Sequence, residues 1–152
     1  MKLAEALQER ADLNSKIQQL KYRLRSNVVM QEGVAPVEDP DILINELNNA
    51  VNRLELLIAA INTVNCNTLV DGKSVTVLLA RRDALNLKIG AYRDIIENAS
   101  NITNRSYSTD IRTLSTVDVR KLQKELDIYC KELREIDNKI QYTNWTTEIN
   151  LV

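Results

Sequence analysis

Apolar residues recur at alternating steps of three and four through most of the chain, the spacing of one helix face. Leu3, Ala6, Leu13, Ile17, Leu20 and Leu24 share one such seam, which predicts a helix over about residues 2–26. Arg10 interrupts it. A second seam runs through Ile44, Leu47, Val51, Leu54, Ile58 and Ile61, with Leu43, Ala50, Leu57 and Val64 in a flanking row at seven-residue spacing. It is the strongest in the chain, and two adjacent rows predict a helix that buries a broad face against more than one neighbour. Leu78, Leu85, Ile89, Tyr92, Ile96 and Ala99 mark a third helix, and Val119, Leu122, Leu126, Tyr129, Leu133, Ile136 and Ile140 a fourth.

The stretches between these seams carry stop and start signals. Residues 26–40 hold Gly33, Pro36 and Pro40 and read as a connection, with a short extended piece expected at Val28–Gln31. Asp39 can cap the second helix, and Pro40 suits its first position, where an N–H would lack a partner anyway. Glu38, Asp39 and Asp41 fit the same capping and dipole role. Asp71-Gly72 between short apolar runs predicts a tight hairpin. Thr76 is the expected cap of the third helix, and Ser115 or Thr116 that of the fourth, with Asp118 favouring its positive end. Gly90 inside the third helix suggests a close helix approach. Residues 100–115 are polar and turn-rich, with an extended piece expected around Asp110–Leu114. The expected fold is therefore mainly α: an antiparallel bundle of four long helices with coiled-coil-like seams, forming one domain over residues 1–152. The connections exceed the usual two to eight residues, which suggests that they pair into a small β hairpin or sheet.

Composition narrows the chemistry. The chain has no Phe and one Trp, and only 3 Gly and 2 Pro, so its core must be aliphatic and its helices long. Net charge is −1, without the cationic excess that nucleic acid or an anionic membrane surface demands. No run approaches the ~20 apolar residues of a membrane span, and no signal peptide is visible. A cytoplasmic location is expected, with export by a non-standard route as the alternative. Cys66 and Cys130 are then expected to be thiols.

Histidine is absent. That removes Ser-His-Asp and Cys-His catalysis, His-ligated zinc and the Glu-x-x-His di-iron motif. The expectation is a protein without catalytic, cofactor-binding or metal residues. Gly72-Lys73-Ser74 resembles the end of a phosphate-binding loop, but position 67, where the first glycine should stand, is Asn.

Five positions remain as candidates for buried charge or an interface. Arg10 and Arg82 fall on seams; Arg82 lies between Leu78 and Leu85, with Arg81 and Asp83 beside it. A seam arginine must be paired, so an ion pair to a facing helix is expected, with anion or partner binding as the alternative. Trp145 either pins the tail onto the bundle or serves as a partner contact.

The whole chain resembles the septicolysin-like family of small helical bacterial proteins of largely unknown function. The likeness rests on MKLAEALQERADL at 1–13, QEG at 31–33, EDP at 38–40, LARRDAL at 79–85, STVDV at 115–119 and NWTTE at 144–148. It implies a helical fold and, by the family's name, a membrane-active cytolysin. The residues themselves favour a non-enzymatic protein acting by homo-oligomerisation or partner binding, because the broad apolar face of the second helix exceeds what one copy can cover.

Overall fold

The computed structural model describes residues 1–101 and 113–151. It is mainly helical, with helices α1 (Leu3–Asn27), α2 (Pro40–Asn67), α3 (Val75–Ser100) and α4 (Val119–Thr146). Strands β1 (Leu69–Val70) and β2 (Lys73–Ser74) form a two-stranded sheet between α2 and α3. Asp71 and Gly72 both have positive φ, 51° and 77°, as a tight hairpin turn of the primed type requires. No residues of the Val28–Gln31 piece form a strand. The extended piece expected around Asp110–Leu114 lies largely outside the described residues.

Helix starts follow local chemistry. The Asp39 carboxylate accepts from the Asp41 N–H at 2.9 Å and Pro40 opens α2, as expected. For α3 the cap is Ser74, whose hydroxyl accepts from the Val77 N–H, rather than Thr76. The hairpin delivers Ser74 in extended backbone just before the first helical residue, so it takes the cap position two residues early. At α4 the cap is Asp118, which accepts from the Lys121 N–H at 3.0 Å; Ser115 instead closes a local turn with Val117.

The chain divides into two compact units. The first comprises Met1–Leu69 and Tyr142–Val152. Here α1 and α2 run antiparallel, since Leu3 and Ala6 pack with Leu57 and Ile61, Glu9 pairs with Arg53, and Arg23 pairs with Glu38. The core cluster is Leu3, Ala6, Leu57, Ile61 and Ile149, all sealed from solvent. Each such Leu or Ile stabilises the fold by about 1.5–3 kcal/mol on transfer from water. The tail is fastened to the start of the chain by an antiparallel bridge between Lys2 and Glu148. The Leu3 N–H donates to the Thr147 carbonyl and the Ile149 N–H to the Met1 carbonyl, both at 2.9 Å.

The second unit is Val70–Gln141. Its α3 and α4 are also antiparallel, with Leu78, Leu85, Ile136 and Ile140 as the core and Val70, Leu79, Tyr129 and Leu133 packed around it. The expected stripes of α3 and α4 are those that face this core. Gly90 does not serve a close approach: it is exposed, and a methyl group in place of its hydrogen would meet nothing within 4 Å.

Two seam assignments change. On α2 the flanking row Leu43, Ala50 and Leu57, together with Ile61, is the buried one. Of the expected main seam, Ile44, Val51 and Ile58 are turned toward solvent, at 41%, 44% and 40% exposed, Leu47 and Leu54 are half-buried, and Ile61 joins the core. Both rows are apolar at helical spacing, so periodicity alone could not choose between them; α1 and the tail select the row that meets Leu3, Ala6 and Ile149. At the other end of the chain, Trp145 is 63% exposed and does not pin the tail; Ile149, at 1%, does.

Candidate functional site

The first unit carries its candidate surface on α2 and on the segment leading into it. Val51, Leu54, Glu55, Ile58 and Ala59 line a shallow depression of about 350 Å³. Ile44 and Leu47 continue the row toward the helix start. The α1–α2 connection adds Val28, Val29, Met30, Val34 and Val37, each more than half exposed; Val37 reaches 96%. Clustered exposed aliphatics of this kind mark surfaces that gain by being covered.

The base of that connection is fixed. Asn27 is buried at the end of α1, where its amide donates to the Arg23 carbonyl and its side-chain oxygen accepts from the Glu38 N–H. Arg23 in turn grips the Glu38 carboxylate through Nε and Nη2, which holds that carboxyl below the usual range. The exposed valines therefore sit on a loop clamped at its far end, beside the start of α2.

The second unit presents a polar strip between α3 and α4. Arg81 forms a two-pronged pair with Glu132, Nε–Oε1 at 2.8 Å and Nη2–Oε2 at 3.0 Å. Two turns further along α3, Lys88 lies over the Tyr129 ring, 3.9 Å from its centroid. Tyr129 meets Tyr92 edge-to-face with centroids 5.3 Å apart, and the Tyr92 hydroxyl donates to Glu125 at 2.9 Å. The Lys88 ammonium draws the Tyr129 phenol down, whereas Tyr129 and then the Glu125 carboxylate push Tyr92 up to about 12. At the hairpin end, Lys139 pairs with Asp71 at 2.8 Å.

The residues singled out from sequence separate here. Arg81, not Arg82, makes the bridge to the facing helix. Arg82 is half-buried but turns along its own helix to its neighbour Asp83, Nη2–Oδ1 at 2.9 Å. The Leu78–Leu85 stripe is buried as expected, but the arginine that bridges to α4 is the one about 100° of helix rotation beside it. Arg10 is half-buried and forms no ion pair among the described residues; its carbonyl accepts from the Asn14 amide. Lys88, Tyr92, Tyr129 and Glu125 were not singled out as a group. The signal was present: two tyrosines on facing apolar stripes, each a polar-tipped ring that needs a partner when packed. Gly72-Lys73-Ser74 is a hairpin turn leading into a cap, as its missing glycine implied. Cys66 is exposed and Cys130 half-buried, both as thiols. Among the described residues no group of three or more Cys, Asp or Glu could hold a metal ion, and no helix is long and apolar enough to cross a membrane.

Comparison with known proteins fixes the family. Residues 10–149 match a family of unknown function, DUF6847, and the chain belongs to it. A solved structure, the crystal structure of a functionally unknown conserved protein from Corynebacterium diphtheriae, superposes with a TM-score of 0.91. It shares 32% identity over 99% of each chain. No curated protein matches. These matches overturn the septicolysin-like resemblance: the family and the solved neighbour that the chain matches are both of unknown function.

Proposed function

We propose that the protein acts in the cytoplasm through self-assembly rather than catalysis, with the outward row of α2 as the contact between copies. One observation carries the reading: Ile44, Leu47, Val51, Leu54 and Ile58 keep strict 3-4 spacing and none is buried in the chain's own core, with Ile44, Val51 and Ile58 exposed and Leu47 and Leu54 half-buried between them. The row has β-branched residues at one heptad position and Leu at the other, a combination that favours two-stranded packing. Together with the exposed aliphatics of the α1–α2 connection it offers apolar surface on the order of 500 Å² per copy, taking roughly 100 Å² for a fully exposed side chain. A standard interface takes roughly 800 Å² from each partner, a little over half of it apolar. The surface is thus the right size for a second copy.

Light scattering coupled to size exclusion, at micromolar concentration, tests this. The unaltered chain is expected as a dimer or higher species. The double variant Val51→Glu, Ile58→Glu is expected as a monomer with unchanged helical circular dichroism, because both side chains already reach solvent in the isolated chain. A unaltered chain that stays monomeric across the concentration range removes the reading.

A further inference from the structure

The second unit holds a cleft of about 360 Å³ between the hairpin, α3 and α4, with an apolar floor that includes Val77, Leu78 and Ile136. Leu78 and Ile136 belong to the core, whereas Val77 is half exposed and gives the cleft uncovered apolar surface. Two ion pairs span it: Arg81–Glu132 joins α3 to α4, and Asp71–Lys139 joins the hairpin to α4. These four charges satisfy one another. Two other charged side chains line the same cleft. Lys73 acts on Glu132 electrostatically but makes no ion pair among the described residues. Glu135 pairs loosely with Lys131, one turn earlier on its own helix, at 3.9 Å, and also acts on Lys139 electrostatically, but it makes no close ion pair among the described residues.

We propose that this cleft binds a small zwitterion with an aliphatic side chain, the chemical class of a free apolar amino acid. The carboxylate goes to Lys73, the ammonium to Glu135 and the side chain over Val77. The charge inventory selects this class. A simple anion would use Lys73 but gain nothing from Glu135, and a simple cation would do the reverse. A doubly charged anion would have to compete with Glu132 for Arg81, against a two-pronged contact already made. A zwitterion gives both loosely held groups a close partner and disturbs neither of the two short pairs, and only an aliphatic one covers the floor. This site shares no residue with the α2 face, so either can fail without the other.

Calorimetric titration of the full chain, paired with amide chemical-shift mapping, tests it with four probes: L-leucine, glycine, 4-methylpentanoate and isopentylamine. Leucine is expected to bind saturably and to shift the amides of Lys73–Val77 and Glu135. The other three probes each lack one element and are expected to bind at least about tenfold more weakly, the usual effect of losing one charge-assisted hydrogen bond or a buried aliphatic group. Lys73→Gln and Glu135→Gln are each expected to weaken leucine about tenfold, whereas Glu135→Gln leaves 4-methylpentanoate unchanged. Both variants alter exposed side chains, so folding is preserved. Absence of saturable leucine binding at 10 mM, shifts mapping elsewhere, or variants that bind as well as the parent would each overturn the proposal.

Discussion

The two helix pairs are alike in layout and unlike in what joins them. In the first unit the contact is sealed aliphatic surface, with Leu3, Ala6 and Leu57 fully buried and Ile149 from the tail closing the cluster. Its Arg53–Glu9 pair, at 2.7 Å, lies beyond that cluster along α1 and α2. In the second unit the core is shorter and less closed, and polar bridges repeat along it: Asp71–Lys139, Arg81–Glu132, Lys88 over Tyr129, Tyr92 to Glu125. Apolar packing holds a pair together without specifying much beyond shape, whereas a ladder of charge and ring contacts fixes which residue faces which. The first unit also leaves apolar surface outside its core, and the second leaves charge in a cleft. The two proposals accordingly give them different kinds of partner: a second copy for the first, a small zwitterion for the second.

The largest expected effect concerns the sealed core. Leu57→Ala should cost about 3–4 kcal/mol, near the upper range for a buried leucine, whereas Leu78→Ala, at the edge of a cleft that lets the site relax, should cost about 2. Urea unfolding followed by site-resolved hydrogen exchange measures both. Equal losses would show that the second unit also rests mainly on apolar packing. The next effect is smaller and depends on acid. Glu9 and Glu132 are held below the ordinary carboxylate value of 4.5, each chiefly by the hydrogen bonds of its arginine. A lowered folded value gives stabilisation that is complete above about pH 4.5 and is lost as pH falls through the folded value. Stability should thus be flat from neutral pH to about pH 5 and decline below 4.5. Double-mutant cycles on Arg53–Glu9 and Arg81–Glu132 should each give only a small coupling, since both pairs are solvent-screened. A loss that starts well above pH 5 would point to other groups. The smallest effect is spectroscopic. Tyr92 keeps its proton until pH rises toward about 12, so its contribution, complete below the ordinary phenol value of 10, fades only above it. In an absorbance titration of tyrosinate, the highest step should vanish in Tyr92→Phe; its persistence would detach Tyr92 from the Tyr129–Glu125 cluster.

Much of this was legible before any coordinates. The four helices, the Asp39-Pro40 start and the Asp71-Gly72 turn follow from residue chemistry that acts within a few positions. What failed depends on contacts far apart in the chain. Which α2 row is buried was decided by Leu3, Ala6 and Ile149, more than thirty residues away in either direction. Arg82 was placed on a seam that Arg81 and Lys88 actually border, because a wide apolar stripe leaves the facing angle undetermined by one residue. Trp145 looked like the anchor of the tail on size alone, while the smaller Ile149 fits between α1 and α2. The loosely held charges at Lys73 and Glu135 could not be found from spacing, since they are defined by which neighbours have already paired.

The bridge between Lys2 and Glu148 has a consequence for how the chain is made. The second unit draws on one continuous stretch, Val70–Gln141, so all its contacts become possible as soon as that stretch exists. The first unit lacks Ile149 until all of the second has been synthesised, and its Leu3–Ile149 contact closes a loop that contains the entire second unit. Contacts of such separation form late. On an emerging chain the Leu3–Leu57 cluster thus stays open at one side until Ile149 arrives, after every residue of the second unit has been made.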